Sequence, residues 1–191
     1  MKKTLSLFAF ALAAVMPQAH AANLSLNVIP PITVGSAFDV QVLATNVFAG
    51  KPADDVIVGY GFSVAVGDTA VFQYLGENSG PLFDDQSGFF TPPLVVGTAT
   101  SPLGVGPGDF SEPLVLATLH FKALTSGTTS ISISADLTDL SQGLVFLDEV
   151  TADPISARVS PTVSTVPEPG TLALCGLALV GVSLFRRRVV S

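Results

Sequence analysis

The chain has 191 residues, of which 48% are hydrophobic and 12% charged, with a formal net charge of −7. That acidic balance repels phosphate backbones and argues against nucleic-acid binding. One cysteine, Cys175, rules out an intrachain disulfide, and two histidines with no cysteine pair leave too few ligands for a zinc site.

Lys2 and Lys3 precede an apolar run from Leu5 to Met16, followed by the small-X-small site Ala19-His20-Ala21. This layout predicts a secretory signal peptide over residues 1–21, cleaved after Ala21. The apolar run is short for a membrane span of ~20 residues, which argues against a permanent anchor. His20 would leave with the signal. From Ala22 to Val166 about 145 residues remain, enough for one domain. Three positive and fourteen negative side chains give this part a net charge of −11, more acidic than the whole chain. Such a surface suits divalent cations or neutral glycans.

The domain reads with a period of two. Leu24, Leu26 and Val28 alternate with polar residues, as do Phe38, Val40, Val42 and Ala44. The longest stripe runs Val56, Val58, Tyr60, Phe62, Val64 and Val66. A further strand is expected at Leu94 to Thr98. Val115, Ala117, Leu119, Phe121 and Ala123 form the next stripe, then Ile131 and Ile133, then Ile155, Ala157 and Val159. Alternation of this kind marks half-buried strands. Turn signals separate them, at Pro30-Pro31, Gly67-Asp68, Ser126-Gly127 and Asp153-Pro154. No segment has the period of a long amphipathic helix. The expected fold is all-β, an antiparallel β-sandwich or jelly roll over residues 22–159, with a linker at 160–166.

Opposite the longest stripe lie Ile57, Gly59, Gly61, Ser63 and Ala65. Glycine inside a strand costs stability and marks close approach by a ligand or another backbone. These residues are a candidate binding face. The alternative is a strand covered by a loop of the same domain, with the proline-rich stretch from Gly76 to Pro113 as the cover. Catalytic chemistry is hard to find. His120 is the one histidine of the domain, and no serine or aspartate forms a nucleophile-elbow pattern around it. Adjacent carboxylates at Asp54-Asp55, Asp84-Asp85 and Asp148-Glu149 make poor acid–base pairs in a strand, where neighbours face opposite ways. Asp84 and Asp85, in Phe-Asp-Asp-Gln-Ser-Gly, are the candidate calcium ligands, against the alternative of a solvated acidic loop. No other cofactor is expected. The glycines from Gly104 to Gly108 lack the lysine of a phosphate-binding loop.

At the C-terminus, Val166-Pro167-Glu168-Pro169 leads into an uncharged run, residues 172–185, and then Arg186, Arg187 and Arg188. As a helix the run would rise about 21 Å, short for a bilayer core of ~30 Å. It is apolar all round and ends in a basic block, which favours a transmembrane helix with the tail in the cytoplasm.

Two resemblances follow from these residues. The Val-Pro-Glu-Pro-Gly-Thr-Leu-Ala-Leu stretch, the short span and the arginines resemble the PEP-CTERM sorting signal of Gram-negative bacteria, over 167–191. The resemblance implies recognition of Pro167, Glu168 and Pro169 by exosortase, an integral-membrane cysteine transpeptidase. It also implies removal of the tail near the triplet and delivery to the cell surface or exopolysaccharide matrix. The stretches from Leu24 to Val28, Val34 to Val42 and Leu116 to Ala123, the last followed by Gly127-Thr-Thr-Ser-Ile-Ser-Ile, resemble a cohesin-like domain. That implies a nine-stranded jelly roll and a protein- or carbohydrate-binding role. Where the cohesin-like pattern has a tyrosine-aspartate-proline turn, this chain reads Val66-Gly67-Asp68-Thr69.

The sequence therefore reads as an exported protein that is held in the inner membrane by its C-terminal helix until processed. Its expected role is a non-catalytic binding module for a polysaccharide or surface protein. A structural matrix protein without a ligand is the alternative, and a polysaccharide-active enzyme a third.

Overall fold

The computed structural model describes residues 22–165. The predicted signal peptide with Ala19 and Ala21, the Pro167–Pro169 triplet, the helix at 172–185 and Arg186 to Arg188 lie outside the described residues. Among those described, no helix is long and apolar enough to cross a membrane.

Strands β1 (Asn23–Val28), β2 (Ala37–Thr45), β3 (Ile57–Val66) and β4 (Phe72–Ser79) open the fold. Then come β5 (Phe83–Asp85), a 3-10 turn at Ser87–Phe89, β6 (Leu94–Ala99), β7 (Leu114–Ala123) and the short β8 (Gly127–Thr128). The chain ends in β9 (Ile131–Ser134), β10 (Gly143–Phe146), β11 (Ser156–Val159) and β12 (Thr162–Val163). One sheet has the order β1-β2-β7-β4, the other β11-β9-β3-β6-β5, and every pair between named strands is antiparallel. The expected all-β antiparallel sandwich is present, with twelve strand segments rather than nine. The surplus comes from short pieces such as β5, β8 and β12.

The predicted stripes meet between the sheets. Val40, Val42, Ala44, Phe62, Leu119 and Phe121 are all fully buried. Tyr60 stacks on Phe62 at 5.8 Å and meets Phe83 edge-on at 5.0 Å, contacts worth about 0.5–1.5 kcal/mol each beyond burial. Burial raises the Tyr60 phenol above the usual tyrosine range, and its OH donates to Ser79 Oγ at 3.1 Å, linking β3 to β4. Gly97 faces inward under this ring, where a Cβ would lie 2.5 Å from Tyr60 carbons.

Strict alternation fails at bulges. In β3 the pairing with β10 steps from Gly59 to Ile57, leaving Val58 as the extra residue. Ile57 is consequently fully buried in the core, where alternation would have turned it outward. The β2–β7 pairing steps over Leu116 in the same way, so Leu114 and Leu116 are buried while Val115 is only partly so. Two other expectations change. The stretch from Gly76 to Pro113 is not an irregular cover, because it supplies the end of β4 together with β5 and β6, which extend the β3 sheet. The expected linker at 160–166 starts inside the fold. Val163 is 3% exposed, β12 pairs with β8, and Ser164 bridges to Thr33.

Candidate binding groove

The predicted face on β3 is closed where its glycines lie. β9 and β10 pair with the same edge of β3, end to end, at Ser63–Val66 and Ile57–Gly61. The chain between them, residues 135–142, loops over the sheet. A Cβ on Gly61 would fall 1.9 Å from the Ser141 carbonyl oxygen, and one on Gly59 would fall 2.8 Å from the Gly97 oxygen. Both glycines are buried, Ser63 is half-buried, and only Ala65 is exposed. With Ile57 in the core, the five residues do not form an open surface. The close approach at Gly61 comes from this chain's own loop, 135–142, and that at Gly59 from Gly97 of the paired strand β6, which lies within Gly76–Pro113.

The concave surface lies elsewhere, between the two sheets' free edges. β4 ends one sheet and β5 ends the other. A bulge in β4 places Leu75 between Tyr74, paired with Phe121, and Gly76, paired with His120. The extra residue brings Glu77 to the side of Tyr74, and the phenol OH donates to Glu77 Oε2. Gly76 takes a φ of +132°, a conformation costly for any other residue. Burial raises the Tyr74 phenol above its usual range, and the Glu77 hydrogen bond and the charges of Glu77 and Asp85 add to the rise. It stays protonated and remains a donor.

The opposite wall is the turn after β5. Asp85 Oδ1 accepts the Ser87 amide hydrogen at 2.8 Å. Ser87 Oγ in turn accepts from the Val96 amide at 3.0 Å, and the Gln86 amide donates to the Val96 carbonyl at 2.8 Å. These bonds pin the 3-10 turn to β6. Phe90, Pro92, Pro93 and Leu94 then rise beside Tyr74, Leu75 and Glu77 around a groove of about 620 Å3. That volume lies in the usual range for ligand clefts, ~300–1,000 Å3.

Asp84 and Asp85 are consecutive in β5, so their side chains leave on opposite faces and do not converge on one ion. Asp85 instead shares the groove with Glu77. Among the described residues no three His, Cys, Asp or Glu side chains cluster in a way that could hold a metal. On the outer face of the other sheet, His120 Nδ1 is 2.7 Å from Asp39 Oδ1, and its Nε2 is 2.9 Å from Asn78 Nδ2. Both ring nitrogens are engaged, and neither is aimed at a serine. The groove residues Tyr74, Glu77 and Phe90 carry no sequence motif. The bulge and the turn that assemble them leave no pattern in the spacing.

The comparisons with known proteins separate the two parts of the chain. Residues 165–188 match the PEP-CTERM protein-sorting motif, the signal of an exported protein sorted at the membrane. No curated protein matches the sequence. The sandwich is similar to the cohesin module of a family 33 glycoside hydrolase from Clostridium perfringens, with a TM-score of 0.58 and 12% identity. That match covers 76% of this chain and 98% of the module. The sixth cohesin of scaffoldin B from Acetivibrio cellulolyticus, solved with a mutant Cel5 dockerin, gives a TM-score of 0.47 at 18% identity. It covers 77% of this chain and 100% of the cohesin. The seventh ScaB type I cohesin of Pseudobacteroides cellulosolvens gives 0.44 at 15%, covering 78% of this chain and 96% of that one. The Clostridium perfringens match establishes a cohesin-like fold.

Proposed function

We propose that exosortase processes this exported protein at its C-terminal signal, and that the sandwich then serves on the cell surface or in the exopolysaccharide matrix as a non-catalytic binding module. Its ligand in this reading is a polysaccharide strand lying in the groove between β4 and β5. The observation that carries it is the pairing of an apolar wall, Phe90 with Leu75 and Leu94, with two carboxylates, Glu77 and Asp85. Sugar rings offer C–H faces to apolar and aromatic surfaces, and their hydroxyls donate to carboxylates. The net charge of −11 on the domain disfavours an anionic polymer and favours a neutral or amino-sugar one.

A second reading has its own support. β4 and β5 leave backbone groups unpaired, and a protein partner could add a strand there. Affinity electrophoresis of the exported, processed protein in gels containing the producing organism's exopolysaccharide tests the first reading. Retardation of the wild type is expected, and Phe90→Ala should weaken it about tenfold, a loss of ~1.4 kcal/mol. The melting temperature should fall only slightly, because Phe90 lies outside the hydrophobic core between the sheets. Unretarded wild type would leave the protein-partner or purely structural reading, and release of reducing sugar would point to an enzyme.

A further inference from the structure

Lys51 sits in the connection between β2 and β3, yet its side chain is only 7% exposed. Its Nζ lies 2.6 Å from Glu149 Oε2 and 2.9 Å from Asp153 Oδ2, both in the connection between β10 and β11. The buried Phe146 ring closes the third side, its centre 4.3 Å from Nζ. A buried amine held between two carboxylates against an aromatic wall is a common way to store a charge. Here the two carboxylates differ. Nζ donates a hydrogen bond to Glu149. Asp153 Oδ2 is buried and accepts no hydrogen bond, although Nζ is within ionic distance. The amine is therefore packed against the Asp153 carboxyl without being aligned to its oxygen.

The backbone holds both partners in place. The Asp153 amide donates to the Leu144 carbonyl at 2.8 Å and its carbonyl accepts from the Leu144 amide at 2.9 Å, while the Lys51 amide donates to the Phe48 carbonyl at 3.1 Å. Positioning of this sort raises effective concentration enough to drive reactions that are slow in free solution.

We infer that Lys51 and Asp153 are joined by an intramolecular amide bond, with Glu149 carrying the proton. One ammonium proton passes through Glu149 to the Asp153 carboxylate, and the freed amine attacks Cγ of the neutral acid. The Nζ–Cγ bond forms and the bond from Cγ to the hydroxyl breaks. Glu149 takes a second proton from Nζ and gives it to the leaving hydroxyl, which departs as water; the third stays on the amide nitrogen. One ammonium and one carboxylate become a neutral amide and water, and nothing is oxidised or reduced. Burial pulls the Lys51 ammonium down, but Glu149 and Asp153 more than offset it and hold it above the ordinary lysine range. The neutral amine is thus the minor form and the step is slow, which a bond made once per molecule tolerates. The link would close the chain from residue 51 to residue 153 in a protein with a single cysteine, Cys175, which leaves no intrachain disulfide to do so. Covalent closure of so long a loop restricts the unfolded state as a disulfide does.

Intact-mass spectrometry of the denatured, exported wild-type protein provides the test, with its two termini first defined by peptide mapping. The expected mass is lower than the processed sequence by one water, and digestion should yield a branched peptide joining Lys51 to Asp153. Lys51→Arg and Asp153→Ala should show the full mass and no branch. Glu149→Gln should remain unlinked, with Lys51 and Asp153 both free, at a time when the wild type is complete. A wild type of full mass with a free Lys51 peptide means an ion pair only and overturns the inference. A branch ending at Glu149 overturns the assignment of Asp153. The wild-type measurement decides the matter even if a variant fails to fold.

Discussion

Gly61 illustrates what a single residue does here. In an exposed strand, replacing glycine by alanine gains stability by restricting the unfolded chain. At Gly61 the added Cβ would meet the Ser141 carbonyl at 1.9 Å, and a backbone oxygen cannot rotate away as a side chain can. Gly61→Ala should therefore destabilise the protein by ~1–3 kcal/mol through overpacking. Chemical denaturation would measure this, and a more stable variant would mean that the loop does not rest on β3. Phe62, on the inward side, is fully buried. Phe62→Ala should cost about 3–5 kcal/mol in the same assay by removing a large side chain from the packed core. A loss below ~1 kcal/mol would mean that the site collapses without a cavity.

Among the elements, the loop at 135–142 has the clearest physical basis. Asp136 accepts hydrogen bonds from the Thr138 amide and hydroxyl, and Asp139 accepts them from Ser141 and from the Gln142 side chain. The Thr138 bonds, hydroxyl first, lower the Asp136 carboxyl below the ordinary aspartate value, and the Ser141 amide leads in lowering Asp139. Because both are lower in the folded state, their contribution is fully present above the unfolded value of about 3.9. It is lost as pH falls through the folded values. Protection of the loop amides, relative to the intrinsic exchange rate at each pH, should fall selectively over that acid window while protection in β7 does not. Loop exchange that tracks the whole sandwich would mean that these turns make no separate contribution. The strands themselves were largely legible, since alternation gave the buried sides of β2 and β9. It misplaced Ile57 and Leu116, because a bulge inserts one residue without changing the residue types around it.

The whole molecule joins a sandwich to a sorting signal. The chain stays attached to the fold through Ser164, whose amide donates to the Ile32 carbonyl at 3.0 Å, and the matched motif begins at residue 165. The signal thus follows the last sheet residues directly rather than at the end of a spacer. In our reading, Glu168→Ala leaves the fold intact and blocks processing, so that protein accumulates in the inner membrane of a host with exosortase. Fractionation with an intact-mass check measures this, and unchanged release would count against recognition of the triplet.

The sequence by itself determined the C-terminal sorting motif and the fold class. A sorting signal is read by another protein as a linear string, so Pro167, Glu168, Pro169 and the arginines carry their meaning in order alone. Strand periodicity is local for the same reason, since successive side chains alternate whatever the strand packs against. The groove, the covered glycines and the Lys51 cluster depend on residues far apart in the chain. Glu77 on β4 faces Phe90 beyond β5 because the two strands end facing sheets, and Gly61 lies under a loop that starts at residue 135. Lys51 reaches Asp153 only because the connections flanking β3 and β10 fold to one place. Those arrangements are set by register and loop path, which only the tertiary structure decides.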